Sequence, residues 1–166
     1  MEIDKDLLIE IVKDAGKAIM NIYDNPEFSN VVDYKSDNSP LTLADKASHD
    51  LIDKALKMHY PSIPIISEES EDNIDYNIRK KYNTFWLVDP LDGTKEFINR
   101  NGEFTVNIAL IENNIPTQGF IYVPVKKTLY YGNSNGAYKV DKNDIEAHLK
   151  VNNSKENRIA VRSKSH

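Results

Sequence analysis

Apolar residues recur three and four positions apart along the first stretch of the chain. Ile3, Leu7, Ile11, Ala15, Ala18 and Ile22 share one helical face, which predicts an amphipathic helix over 3–23, ended by Asn25-Pro26. Residues 27–41 fit a short strand or hairpin followed by a polar loop. Helical spacing returns at Ala44, Ala47, Leu51, Ala55 and Met58, a second helix from about Leu43 to Tyr60 that Pro61 stops. Thr42, with Asp45 three residues on, has the form of a capping box at its start. Then the period changes. IPIIS (63–67) is a short apolar run, 70–83 a polar segment with a helical turn, and TFWLVD (84–89) a buried strand. FTVNIALIE (104–112), PTQGFIYVP (116–124), KTLYYGN (127–133) and AYKV (137–140) follow as strands joined by tight turns, with a further strand, NRIAVRS (157–163), in the tail. Two helices followed by a largely antiparallel meander predict an α+β layered fold.

Composition narrows the function classes. A net charge of −5 argues against a nucleic-acid or anionic-membrane surface. With no cysteine there is no disulfide framework, thiolate zinc site or cysteine nucleophile. No apolar run approaches a membrane span, and the charged N-terminus lacks a signal-peptide core. A soluble, cytoplasmic protein is the expectation. No phosphate-binding loop of the nucleotide-triphosphate or dinucleotide type occurs.

The chemistry concentrates where the strand 84–89 ends, in DPLDGT (89–94). Pro90 removes a ladder donor and is expected to stop pairing. Asp89, Asp92 and the Leu91 carbonyl offer hard oxygen ligands of the kind Mg²⁺ takes. Gly93 permits close backbone approach, and Thr94 adds a hydroxyl and an N–H where a helix would begin, which suits a phosphate. The hexapeptide alone is equally compatible with an Asx turn capping a helix. A second acidic cluster changes the balance. ISEES (66–70) also ends an apolar run, and two acidic strand ends at one sheet edge repel unless a cation lies between them. Metal-assisted phosphate-ester hydrolysis is the chemistry implied.

These residues carry a resemblance. ISEES followed by WLVDPLDGT (86–94) looks like the first signature of the inositol monophosphatase superfamily, and PLTLAD (40–45) resembles an element upstream of it. DPLDGTKEFINRNGEFTVNIALI (89–111), with Lys95 and Glu96 after the D-G-T, is similar to the 3′(2′),5′-bisphosphate nucleotidase branch. The resemblance implies a layered α/β sandwich and Mg²⁺-dependent, lithium-sensitive phosphatase activity with two or three ions. It implies that Glu68, Asp89, the Leu91 carbonyl and Asp92 are metal ligands. Gly93 and Thr94 would hold the scissile phosphate through N–H groups, beside Glu68, Leu91 and Asp92. Glu68 and Thr94 would orient the attacking water, with Asp45 supporting that pair or a weaker metal, or partnering Thr42 as a cap. The implied substrate is adenosine 3′,5′-bisphosphate, giving AMP and phosphate and clearing a by-product of sulfate assimilation. An inositol monophosphatase or sugar phosphatase is the nearest rival, because the shared motif reads the phosphate and not the leaving group.

One family element is missing. The second signature, W-D-x-A-A-G, needs a tryptophan, and Trp86 already belongs to the first. Residues 1–155 are therefore expected to form an N-terminal metal- and phosphate-binding domain, and 156–166 the start of a C-terminal α/β domain. The chain is expected to be a fragment or a truncated product with little activity of its own, and a non-catalytic metal-binding chain is the reading from a different class. The residues do not indicate an oligomeric state. The remaining candidates have plainer readings. His49, His59, His148 and His166 lack metal-spaced partners, the tyrosines of TLYYGN fit strand packing, and Lys35, Ser36 and Asp37 fit a solvated loop.

Overall fold

The computed structural model describes residues 3–25, 27, 32–34, 40–70 and 74–151. Asp4 starts the first helix by accepting the N–H groups of Asp6 and Leu7, and α1 runs over Lys5–Tyr23. A two-stranded antiparallel hairpin, β1 (Val32–Tyr34) with β2 (Pro40–Thr42), leads into α2 (Leu43–His59). The capping box forms as the sequence indicates: Thr42 Oγ1 accepts from the N–H groups of Ala44 and Asp45, and the Asp45 carboxylate accepts from the Thr42 N–H at 2.8 Å.

A seven-stranded sheet follows in sequence order: β3 (Ile65–Ser67), β4 (Thr84–Asp92), β5 (Thr105–Glu112), β6 (Ile115–Val123), β7 (Thr128–Asn133), β8 (Gly136–Val140) and β9 (Glu146–Leu149). Only β3 and β4 pair in parallel, and the rest form an antiparallel meander. Short helices α3 (Tyr76–Arg79) and α4 (Thr94–Ile98) lie before and after β4. The fold is therefore α+β and layered. Helices α1 and α2 cover the sheet face that carries Trp86, Val88, Val106, Ile108 and Leu110. Gly16 lets α1 settle on β6, since a Cβ there would lie 2.4 Å from the Tyr122 ring. Tyr23, Phe97 and Phe104 pack in tilted and edge-to-face contacts with centroids 5.1–5.4 Å apart and fasten α4 against α1.

Several expectations shift. The buried stripe of α1 is Leu8, Ile11, Val12, Ala15, Gly16 and Ile19, while Leu7, Ala18 and Ile22 lie at its margin. In α2 the buried stripe is Ala44, Asp45, Ser48, Ile52 and Leu56, and Met58 points out at 64% exposure. Pro90 does not end β4: pairing lapses after Asp89–Asn107 and resumes at Asp92–Thr105, a bulge rather than a stop. Strand β9, whose four residues are all exposed, has no apolar alternation to announce it. The tail strand at 157–163, the boundary at 155/156, His166 and Lys35, Ser36 and Asp37 lie outside the described residues.

Candidate metal and phosphate site

Parallel pairing of β3 with β4 brings the two acidic strand ends together. The ladder runs Ile65–Trp86, Ile66–Leu87, Ser67–Val88, and the Glu68 N–H continues it by donating to the Val88 carbonyl at 3.1 Å. Glu68 thus leaves β3 beside the point where Asp89 leaves the regular part of β4. Their carboxyl groups are within hydrogen-bonding reach of each other, which two fully ionised carboxylates cannot exploit. Burial, then the negative charges of Glu68 and Asp92, push the Asp89 carboxyl up to about 7. Asp89 Oδ1 is also one of only two buried side-chain polar atoms, among the described residues, that lack a hydrogen-bond partner. A buried, unpartnered carboxylate oxygen facing like charges is what a divalent cation would satisfy.

Asp92 stands across the bulge and is exposed. Asn107 Nδ2 donates to its Oδ2 at 3.1 Å, while Asn107 Oδ1 accepts from Thr105 Oγ1 at 3.0 Å, so two β5 side chains orient it. The described residues contain no ready-made cage of three or more metal-ligating side chains. Two adjacent carboxylates, a third nearby and a backbone carbonyl fit a cation that keeps waters and takes substrate oxygens, as Mg²⁺ does.

The bulge fixes the rest. Pro90 and Leu91 fall where the ladder lapses, so their carbonyls need partners elsewhere. Ser48 Oγ, fully buried on α2, donates to the Pro90 carbonyl at 2.7 Å. The Leu91 carbonyl lies 3.4 Å from Thr94 Oγ1, whose single proton goes to the nearer Asp45, and retains capacity for a cation. Gly93 adopts φ +96°, ψ 42°, and turns the chain into α4, whose leading N–H groups have no partner within the helix. Thr94 Oγ1 donates to Asp45 Oδ1 at 3.1 Å, which leaves the hydroxyl lone pairs to accept from a water. Asp45 is 1% exposed; burial raises its pKa, and the bonds from Thr42 and Thr94 pull it back down. Asp45 therefore caps α2 and also accepts from the Thr94 hydroxyl.

The structure thus brings Glu68, Asp89, Leu91, Asp92, Gly93, Thr94 and Asp45 to one place. Glu68 and Asp89 line a cavity of about 910 Å³ on the sheet face away from the helices, with Arg79, Asn107 and Tyr130 further along it. Ser48, Asn107 and Ser67 support the site without having been singled out in the sequence. The signal in the sequence for Ser48 was its place one turn beyond Asp45, since the apolar pattern does not put it on the inner face. His49 is half-buried, with its Nδ1 2.9 Å from Ser67 Oγ. His59 and His148 remain outside the site, the latter edge-on to Tyr138. Removing the Ser48 hydroxyl strands the Pro90 carbonyl in the interior. Ser48→Ala is expected to cost about 1–3 kcal/mol in urea unfolding.

Comparison with known proteins identifies relatives of the chain. Residues 4–166 match the model of the inositol monophosphatase family. The chain is 47% identical over 137 residues to the 3′(2′),5′-bisphosphate nucleotidase CysQ of Buchnera aphidicola, covering 82% of this chain and 51% of that protein. It is 46% identical over 134 residues to CysQ of Escherichia coli K12, covering 81% and 53%. The crystal structure of CysQ from Bacteroides thetaiotaomicron superimposes with a TM-score of 0.81 at 40% identity, over 96% of this chain and 62% of that one. An inositol monophosphatase from Anabaena gives 0.67 at 26% identity, over 91% and 50%. The chain spans about half the length of the curated relatives it matches. With a family match that runs almost from end to end, the chain belongs to the inositol monophosphatase family.

Proposed function

We propose that the site hydrolyses a phosphate monoester with Mg²⁺, and that the substrate is adenosine 3′,5′-bisphosphate, cleaved to AMP and phosphate. The observation that carries this reading is the Glu68–Asp89 pair at two adjacent strand ends, with one buried oxygen left without a partner. Beside it lies the Gly93-Thr94 turn that would receive the phosphate. Mg²⁺, in the two or three positions the family resemblance implies, would neutralise the phosphoryl and leaving oxygens and acidify the attacking water. Glu68, Asp89, Asp92 and the Leu91 carbonyl would hold it. Thr94 Oγ1, its proton committed to Asp45, would accept a hydrogen bond from the water and direct it, together with Glu68, along the line of attack. The N–H groups of Gly93 and Thr94 would hold the phosphoryl oxygens and favour the charge that builds on them.

The choice of nucleotide rests on the relatives named 3′(2′),5′-bisphosphate nucleotidase and on the cavity wall. Arg79 is the one cationic side chain among the residues lining that cavity, and a second substrate phosphate would meet its countercharge there. A role in clearing a by-product of sulfate assimilation and a cytoplasmic setting follow from the same reading, and the acidic composition suits both. No described helix is long and apolar enough to cross a membrane. An inositol phosphatase is the second reading, favoured by the Anabaena likeness. Phosphate release from adenosine 3′,5′-bisphosphate and from inositol 1-phosphate, by this chain and by the complete gene product in parallel, separates the two. The nucleotide is expected to give the higher kcat/KM, and a preference for the inositol ester would reverse the assignment.

Proton competition offers a further check. Asp89 must lose its proton to bind a cation, and its carboxyl is held at about 7. Mg²⁺ affinity is therefore expected to be full above pH 8 and to fall by up to about tenfold per pH unit below 7, for one proton displaced. Calorimetric titration with Mg²⁺ at several pH values reads this directly. A dissociation constant that is flat from pH 8 to pH 5.5 would contradict a ligand Asp89 whose carboxyl is held at about 7.

A further inference from the structure

Helix α2 presents polar side chains to three separate pieces of the site. Asp45 takes the Thr94 hydroxyl. One turn on, Ser48 Oγ donates to the Pro90 carbonyl at 2.7 Å, and the next residue, His49, places Nδ1 2.9 Å from Ser67 Oγ. Pro90 directly follows Asp89, and Ser67 directly precedes Glu68. Two adjacent helix residues therefore grip both strand ends, each one residue away from a carboxylate. Sheet pairing fixes the backbone here only at an edge. Among the described strands β3 is the sheet edge, held to β4 by three register pairs and by the flanking bonds from Trp86 N–H to the Pro64 carbonyl and from Glu68 N–H to the Val88 carbonyl, and the β4 ladder lapses after Asp89. The ends also repel, because Glu68 and Asp89 carry like charge within reach of each other.

We propose that His49 is a positioning residue of the metal site. Through Ser67 it fixes the end of β3, and with it Glu68, at the distance from Asp89 that a divalent cation bridges. This rests on the metal-dependent reading above. The Ser48 bond holds the β4 end and the His49 bond the β3 end, so the separation of the two carboxylates is set by the spacing of neighbouring residues on a rigid helix. A site assembled in advance binds its cation without first drawing two repelling strand ends together. The Ser67 hydroxyl also receives the Glu69 N–H at 3.4 Å, so His49 holds the turn that follows β3 as well. Either tautomer of His49 serves, because the hydroxyl both donates and accepts.

The test uses Mn²⁺, followed by electron paramagnetic resonance, as a visible stand-in for Mg²⁺. An asparagine amide can occupy the place of the histidine Nδ1, whereas a glutamine amide matches Nε2. His49→Gln and Ser67→Ala are expected to weaken Mn²⁺ binding about tenfold, while His49→Asn and Ser67→Thr stay within about threefold of the wild type. In the metal-free protein the Glu68 amide resonance is expected to shift in the first pair and return toward its wild-type position in the second. Thermal melts establish that each variant folds, and the Ser67 pair carries the test should His49→Gln fail to fold. Wild-type affinity in His49→Gln, with binding still lost in Asp89→Asn, overturns the positioning role and leaves the metal site standing. Equal weakening in His49→Gln and His49→Asn also overturns it, because bulk rather than the Nδ1 bond would then matter. A wild-type chain that binds no Mn²⁺, or binds it regardless of Asp89→Asn, removes the metal reading and this proposal with it.

Discussion

Asp89→Asn is expected to abolish Mg²⁺-dependent phosphate release while making the metal-free protein more stable. The two effects have one cause. Asp89 is pushed up to about 7 by burial first and by the charges of Glu68 and Asp92 second. Its folded-state value lies above its unfolded value, so the stability linked to it is fully present below about pH 4 and is lost as pH rises through 7. At pH 8 the metal-free fold carries an ionised, partly buried carboxylate against like charges. An asparagine removes the charge, and its amide can donate to Glu68. The melting temperature at pH 8 is expected to rise by a few degrees, on the order of 1 kcal/mol after solvent screening. The same substitution deletes the charge placed to hold the cation. Loss of several kcal/mol of charge stabilisation in the transition state corresponds to about a thousandfold or more in kcat. Differential scanning calorimetry and a phosphate-release assay on one preparation read both effects. A variant that is less stable without metal would mean that the bonds to the Asp89 carboxylate, such as that from the Leu91 N–H, outweigh its repulsion from Glu68 and Asp92.

Gly93→Ala is expected to cost about 2–4 kcal/mol of stability, from left-handed backbone strain and a main-chain clash together, and to remove activity in the molecules that still fold. Gly93 sits at φ +96°, where a side chain is strained in any surroundings. A Cβ there would lie 3.0 Å from the Glu103 carbonyl oxygen and 3.3 Å from the Phe104 Cα, and backbone atoms yield less readily than a side-chain tip. Relief requires the turn to move. Thr94 then moves relative to Asp45, and the N–H groups proposed for the phosphate move with it. Gly16→Ala is a useful contrast. It forces a Cβ to 2.4 Å from the Tyr122 ring on β6 rather than against the Gly93 turn, and should lower stability without selective loss of turnover. Urea unfolding with kinetics on the folded fraction separates the two. An active, stable Gly93→Ala protein would show that the turn has no part in catalysis.

Where the sequence misled, the site was the reason. The apolar pattern of α2 put Ala47, Leu51 and Met58 on the inner stripe, but the helix is rotated so that Asp45 and Ser48 face inward. A rule that seeks apolar residues at the core cannot choose a face whose buried members are a carboxylate and a hydroxyl, and local rules fail at functional sites for this reason. The capping box was legible because Thr42 and Asp45 act within one turn. The bond from Asp45 to Thr94 was not, since it joins residues 49 positions apart. The acidic strand ends could be read one at a time from ISEES and WLVDPLDGT. Their meeting depended on parallel pairing of β3 with β4, one register in an otherwise antiparallel sheet. Pro90 was expected to stop pairing, but Asp92 regains Thr105 because a bulge absorbs the two residues between. Strand β9 gave no signal because none of its residues is buried.

The most direct measurement is phosphate release from adenosine 3′,5′-bisphosphate by the complete gene product as Mg²⁺ is raised from zero, for the wild type, Glu68→Gln and Asp89→Asn. Saturable dependence on Mg²⁺ in the wild type, with no Mg²⁺ response in either variant, is the expected result. Release that needs no divalent cation, or that survives both substitutions, would contradict a metal site at the paired strand ends.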